Sequence, residues 1–190
     1  MTEPDRRTQV LEAALPVFAR HGYRKTSMDD VAKAADISRP GLYFAFSSKH
    51  ELFRAAVQHS LDDSLAAAGQ ALSDQGRPLR ERLIEAFDEW AGRYVGPMAQ
   101  EIGGLMDANP GLLGTMPVEY PKRFLAMLVD ALSRAGERPA RTRIAPVDVA
   151  RTLVSTAAGI KYEVTTREQF RARMTTAIDL YGADRDRHGA

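Results

Sequence analysis

At 190 residues and 20.9 kDa, 44% hydrophobic and 27% charged, the chain suits one moderate domain or a small domain joined to a larger one, and wholesale disorder is excluded. It has no cysteine, which removes disulfides, thiolate metal sites and a Cys nucleophile, and its longest uncharged stretch, Ala108 to Val118, is about half of what a bilayer-spanning helix needs. Net charge is only +1, but residues 1–49 carry eight basic against six acidic residues while residues 71–110 carry four against seven, so a nucleic-acid surface must be a local patch in the N-terminal quarter.

The chain reads as all-α, with no alternating run and no internal repeat. Val10, Leu11, Ala14, Leu15 and Phe18 recur at three- and four-residue spacing and place one apolar stripe on a first helix, which Gly22 ends. Glu12 interrupts this only apolar run near the N-terminus, so no secretory signal is expected and the cytosol is the expected compartment. Pro16 lies inside the pattern and predicts a local irregularity. Thr26 and Ser27 offer N-caps for a short helix with Asp29 and Asp30 in its first turn. Ser38 caps a second short helix, Arg39 to about Phe46, with Pro40 in the turn where its missing N–H is harmless. Ser48 caps a longer helix striped by Leu52, Phe53, Ala56, Val57, Leu61, Leu65 and Leu72. Leu79, Leu83, Phe87, Trp90 and Tyr94 trace the next, and a Pro/Gly-broken stretch follows from Gly96 to Pro117. Phe124, Leu125, Leu128 and Leu132 mark another helix, then a basic loop, then closing helices from about Val147 to Val164 and from Arg167 to Tyr181.

Two short capped helices joined by a tight turn make a helix-turn-helix, whose second helix enters a DNA major groove. Val31, Ile37, Leu42 and Phe46 are the apolar residues expected to hold the pair, and Ala32 and Ala35 are small where helices approach. Residues 26 to 49, TSMDDVAKAADISRPGLYFAFSSK, resemble the DNA-binding domain of the tetracycline-repressor family of bacterial transcriptional regulators. Thr26, Val31, Ala32, Ala35, Ser38, Leu42, Tyr43, Phe46, Ser48, Lys49, Leu52 and Phe53 stand in register with the family pattern. Three positions depart from it: Asp36 replaces the turn glycine, Pro40 replaces a glycine that opens the recognition helix, and Ala45 replaces a phosphate-contacting His or Tyr.

The resemblance implies an N-terminal three-helix DNA-binding domain over residues 1–50, a helical ligand-binding and dimerisation domain over 51–182, and a charged tail over 183–190. It implies phosphate contacts from Thr26, Tyr43 and Lys49, with Ser27 and Ser38 at the same surface. Arg39 is the expected base reader, because a guanidinium bonds guanine O6 and N7 together, with a phosphate clamp as the other role open to it. Pro40, Gly41 and Phe44 are expected to supply apolar contact to the bases. The partners implied are double-stranded DNA with an inverted-repeat operator, a second copy of the chain, and a small apolar or aromatic inducer. Candidate inducer contacts are Phe87, Trp90, Tyr94, Met98, Met106, Met116, Tyr120, Phe124 and Met127; thioethers and aromatics suit such a pocket, and equally suit plain core. Candidate dimer contacts are Ala150, Leu153, Val154, Ala157 and Ala158 on the penultimate helix and Phe170, Met174, Ala177, Ile178 and Tyr181 on the last, which the same spacing would serve as core of their own domain.

Two other function classes compete. The four histidines (His21, His50, His59, His188) lack metal-ligand spacing, and no phosphate loop, nucleophile elbow or paired-carboxylate motif appears, so neither catalysis, a metal nor a cofactor is expected. A ligand-sensing or protein-interaction module that keeps the fold without sequence-specific DNA binding is the second, and it predicts no salt-dependent affinity for any duplex.

Overall fold

Residues 3–96, 111–135 and 144–182 are described by a computed structural model, and every regular element among them is helical. They group into two compact units. One runs to Asp63 and includes 111–117; the other holds Ser64–Gly96 and the residues from Val118 onward. The division falls within a helix, later in the chain than the 50/51 boundary expected from sequence. The 183–190 tail and most of the basic loop lie outside the described residues.

In the first unit, α1 (Glu3–Lys25) buries Val10, Ala14 and Phe18. The irregularity expected at Pro16 is absent: that residue is exposed and keeps helical dihedrals, because a lost bond on the solvent side is replaced by water. The break comes at Gly22, whose φ of 74° and ψ of 155° define a conformation that essentially only glycine adopts. Ser27 caps α2 (Met28–Ala34): its Oγ accepts from the Asp30 N–H at 3.2 Å, and the Asp30 carboxylate accepts from the Ser27 N–H at 2.8 Å. These bonds hold the Asp30 carboxyl below its ordinary range. Ser38 caps α3 (Arg39–Ala45) by accepting from the Gly41 N–H at 3.2 Å. Ser48 caps α4 (Lys49–Ser73) by accepting from the Glu51 N–H at 3.1 Å, while the Glu51 carboxylate accepts from the Ser47 N–H and hydroxyl at 2.8 and 2.6 Å. Glu51 is lowered for the same reason.

Leu42, Phe46, Leu52 and Val31 are fully buried at the centre of this unit, and Phe18, Tyr23 and Phe53 form an aromatic cluster with ring centroids 5.0 to 6.0 Å apart. α1 is tied to the ends of both short helices. Gln9 Nε2 donates to the Ala35 carbonyl at 3.0 Å, and Arg7 Nη1 donates to the Ala45 carbonyl at 2.9 Å with its guanidinium 4.2 Å above the Phe46 ring. Between α2 and α3 the chain turns through Asp36 at φ 52°, as the departure from the family's glycine requires. A left-handed Asp costs more than a glycine there, so Asp36→Gly is expected to raise the thermal midpoint by about 2 °C, roughly 0.5–1 kcal/mol. A calorimetric melt showing a lower midpoint would assign the Asp36 carboxylate a stabilising contact instead.

The second unit contains α5 (Leu79–Trp90), a 3₁₀ turn at Gly92–Tyr94, most of α6 (Met116–Arg134), α7 (Pro146–Glu163) and α8 (Arg167–Gly182). α8 packs against both α5 and α7. The helix expected to run from Leu79 to Tyr94 stops at Trp90. In the turn that follows, Gly92 permits a close approach: a Cβ there would lie 2.5 Å from Asp88 Oδ1 and 3.1 Å from Phe170 Cδ1. Arg82, buried on α5, donates from Nε to the Leu72 carbonyl at 2.9 Å and so satisfies the C-terminal end of α4. None of the described helices is long and apolar enough to cross a membrane.

Candidate nucleic-acid interface

The seven residues of α3 divide by face. Leu42 and, just past the C-terminus, Phe46 point into the core with no exposure, whereas Arg39, Pro40, Tyr43 and Phe44 stand outward. Positions i, i+1, i+4 and i+5 share one side of a helix, so these four side chains form a single surface about 10 Å long, matched to a major groove about 12 Å wide. Phe44 is 85% exposed and Tyr43 44%. Gly41 is half-buried between the two faces; a Cβ there would sit 3.1 Å from the capping Ser38 Oγ. Ser27 and Ser38 are exposed at the starts of α2 and α3. Arg39 is exposed, with its Nη1 donating to Asp29 Oδ2 at 3.2 Å and its guanidinium 5.7 Å from the Tyr43 ring. Arg39, Pro40, Tyr43 and Phe44 thus share the outward side of α3, with Ser38 and Gly41 at its start, and Arg39 reaches Asp29 two residues after Ser27.

Thr26 and Lys49 are placed differently from the expectation. Thr26 is 1% exposed, and its Oγ1 donates to the Gly22 carbonyl at 2.9 Å, so its side chain is closed to a phosphate. The Lys49 ammonium donates to the carbonyls of Tyr23, Thr26 and Arg24 at 2.9, 3.0 and 3.3 Å and lies 4.7 Å from the Tyr23 ring. The reason is local: α1 ends at Lys25, so the Tyr23 and Arg24 carbonyls have no helical donor and Lys49 supplies one, while the Thr26 hydroxyl shares the Gly22 carbonyl with its own N–H at 3.2 Å. Arg7 and Gln9, which tie α1 to the Ala45 and Ala35 carbonyls, are not legible in the sequence, because these partners lie 38 and 26 residues away.

Among the candidate inducer contacts, Phe87, Phe124 and Tyr120 are buried, as is Met116. Phe124 meets Phe87 edge-on at 5.3 Å and stacks on half-buried Trp90 at 5.0 Å. The Tyr94 hydroxyl lies 2.6 Å from Ser64 Oγ, and half-buried Met127 reaches the backbone of α4 at Gly69. Met98 and Met106 lie outside the described residues.

The candidate dimer contacts need a correction. Ala150, Leu153 and Ala157 of α7 and Phe170, Met174 and Ile178 of α8 are at most 4% exposed within the single chain, so they are core of their own unit and not a free face. Val154, Ala177 and Tyr181 are half-buried, and Ala158 is exposed. The large apolar side chains that α7 and α8 leave outside are Tyr162, 92% exposed, and Leu180, 75% exposed. Glu85, Asp88 and Glu89 lie close enough to one another to hold a cation, but arginines already neutralise them. Arg171 is 3.0 Å from Glu85 and 2.8 Å from Asp88, Arg167 is 3.0 Å from Asp88 and 2.6 Å from Glu89, and Arg93 also meets Glu89.

Comparison with known proteins gives the surface a context. A family model for bacterial regulatory proteins of the tetR family matches residues 10–56, a span that holds α2 and α3. The HTH-type nicotine-responsive transcriptional repressor HdnoR of Paenarthrobacter nicotinovorans is 30% identical over 159 residues, 79% of this chain and 78% of that protein. The chain spans 34–41% of the length of three other curated relatives: the HTH-type transcriptional activator FasR of Mycolicibacterium smegmatis and the HTH-type transcriptional regulators YfiR of Bacillus subtilis and TtgR of Pseudomonas putida. A TetR-family regulator from Mesorhizobium loti MAFF303099 has the same fold, with a TM-score of 0.73 at 17% identity over 96% of this chain and 98% of that one. AibR, solved in complex with isovaleryl coenzyme A and operator DNA, gives a TM-score of 0.61 at 20% identity over 90% and 96%.

Proposed function

The chain belongs to the tetracycline-repressor (TetR) family of bacterial regulatory proteins, and from that premise we propose that it is a transcriptional repressor that binds an inverted-repeat operator as a homodimer and is released by a small apolar or aromatic inducer. The observation that carries this reading is the outward face of α3. A domain with no partner gains nothing by leaving Phe44 85% exposed beside Tyr43, Pro40 and Arg39, whereas a groove-reading helix needs such a projection. HdnoR, a repressor by name and responsive to nicotine, and AibR, seen with operator DNA, support the same assignment.

Two-fold symmetry follows from the proposal, because a dimer reads two half-sites. The surface offered for it is the outer side of α7 and α8, with Ala158, Tyr162 and Leu180, in place of the buried stripes. The aromatic cluster of Phe87, Trp90 and Phe124, with Tyr94 and Met127 half-buried, suits an apolar or aromatic inducer. An inducer releases DNA to the extent that it binds the DNA-incompetent conformation more tightly.

The test is enrichment of genomic duplex fragments by the purified chain across a salt series. One inverted repeat is expected, with affinity falling steeply as salt rises. Tyr43→Ala and Phe44→Ala are each expected to weaken it by about tenfold, a loss of roughly 1.4 kcal/mol. A folded protein that enriches no duplex at low salt sinks the proposal in favour of a ligand-sensing module, a reading that the inward engagement of Thr26 and Lys49 favours.

A further inference from the structure

We infer that Asp29 is a specificity-determining positioning residue, holding the Arg39 guanidinium in the orientation that reads a guanine in each operator half-site. The inference rests on the DNA-binding reading above and extends it to a residue of the first helix of the motif. Asp29 lies in the first turn of α2 and Arg39 opens α3, so the pair spans the turn between the two helices. Arg39 Nη1 donates to Asp29 Oδ2 at 3.2 Å, and Nε lies 3.1 Å from Oδ1 as an ionic approach off the hydrogen-bond line, which leaves that oxygen without a hydrogen bond. The other flank of the guanidinium is the Tyr43 ring, 5.7 Å away. The Nη2 amino group makes no hydrogen bond among the described residues.

Both partners are substantially exposed, with side-chain exposures of 64% for Arg39 and 45% for Asp29, so the pair contributes little to stability. Its physical effect is on the freedom of Arg39. An arginine at a helix start samples many rotamers, and nearby phosphates draw it toward the backbone as a point charge. A carboxylate behind it and an aromatic ring beside it restrict that sampling, and discrimination between bases depends on orientation in a way that phosphate contact does not. A negative charge at a DNA-facing surface also weakens binding to every sequence alike, so Asp29 trades affinity for selectivity.

Selection of duplexes from a random-sequence library by the full chain tests this. The wild type is expected to return an inverted repeat with a guanine at one position of each half-site, and 7-deazaguanine there is expected to lower affinity about tenfold. Arg39→Ala is expected to abolish the preference at that position alone. Asp29→Ala is expected to reduce it to below about threefold while raising affinity for unrelated duplexes. Asp29→Asn, isosteric and uncharged, is the second variant; thermal melts of both confirm folding. An unchanged guanine preference in folded Asp29 variants overturns the inference, as does a selected site with no Arg39-dependent guanine. Failure of the wild type to select any sequence defeats the DNA-binding reading itself and is thereby distinguished.

Discussion

Replacing Asp88 with alanine is expected to destabilise the second unit by about 3 kcal/mol and to lower its thermal midpoint by roughly 6–10 °C. The Asp88 side chain is 7% exposed and accepts from Arg167 Nε and Nη2 at 3.0 Å each and from Arg171 Nη1 at 2.8 Å. Its oxygen also fills the space beside Gly92, so its removal opens a void where the chain passes from α5 into the 3₁₀ turn. Both arginines hold their protons more tightly than usual, Arg167 chiefly through its bond to Asp88 and Arg171 chiefly through its bond to Glu85. They remain 46% and 41% exposed and turn to water when the carboxylate is lost, which keeps the effect below that of a fully enclosed pair. Melts followed by circular dichroism read the shift, and a change under about 1 kcal/mol shows that water already does what Asp88 is credited with.

Lys49→Ala is the second large effect, expected at about 2 kcal/mol in the first unit. Three carbonyls at the C-terminal end of α1 lose a charged donor at once, and the Tyr23 ring loses the ammonium above it. Lys49→Met keeps most of the aliphatic stem and separates packing from charge. The salt dependence of DNA binding distinguishes the two roles open to this lysine. A side chain committed to carbonyls leaves the slope of log affinity against log salt unchanged, whereas a phosphate contact lowers it by about one.

That lysine also shows where sequence reading reaches and where it stops. Helix starts and stops were legible because their causes are local: a serine hydroxyl reaches an N–H three residues on, and a glycine ends a helix by its own dihedrals. The outward set on α3 was legible for the same reason. The inward engagement of Thr26 and Lys49 was not, since both look like phosphate ligands until the carbonyls they meet around the end of α1 are seen. Ala150, Leu153, Phe170 and Met174 fail for a related reason: one apolar period describes a helix packed on its own domain and one packed on a partner. Tyr162 and Leu180, off that period, carry the exposed apolar surface.

The partition of α3 has a consequence for how such a regulator changes over generations. Leu42 and Phe46 anchor the helix, while Arg39, Pro40, Tyr43 and Phe44 touch solvent, and no side chain serves both purposes. Substitutions on the outer face are therefore close to neutral for folding. A duplicated copy is free to drift toward a new operator one residue at a time, with every intermediate still folded, so that targets diverge faster than the scaffold.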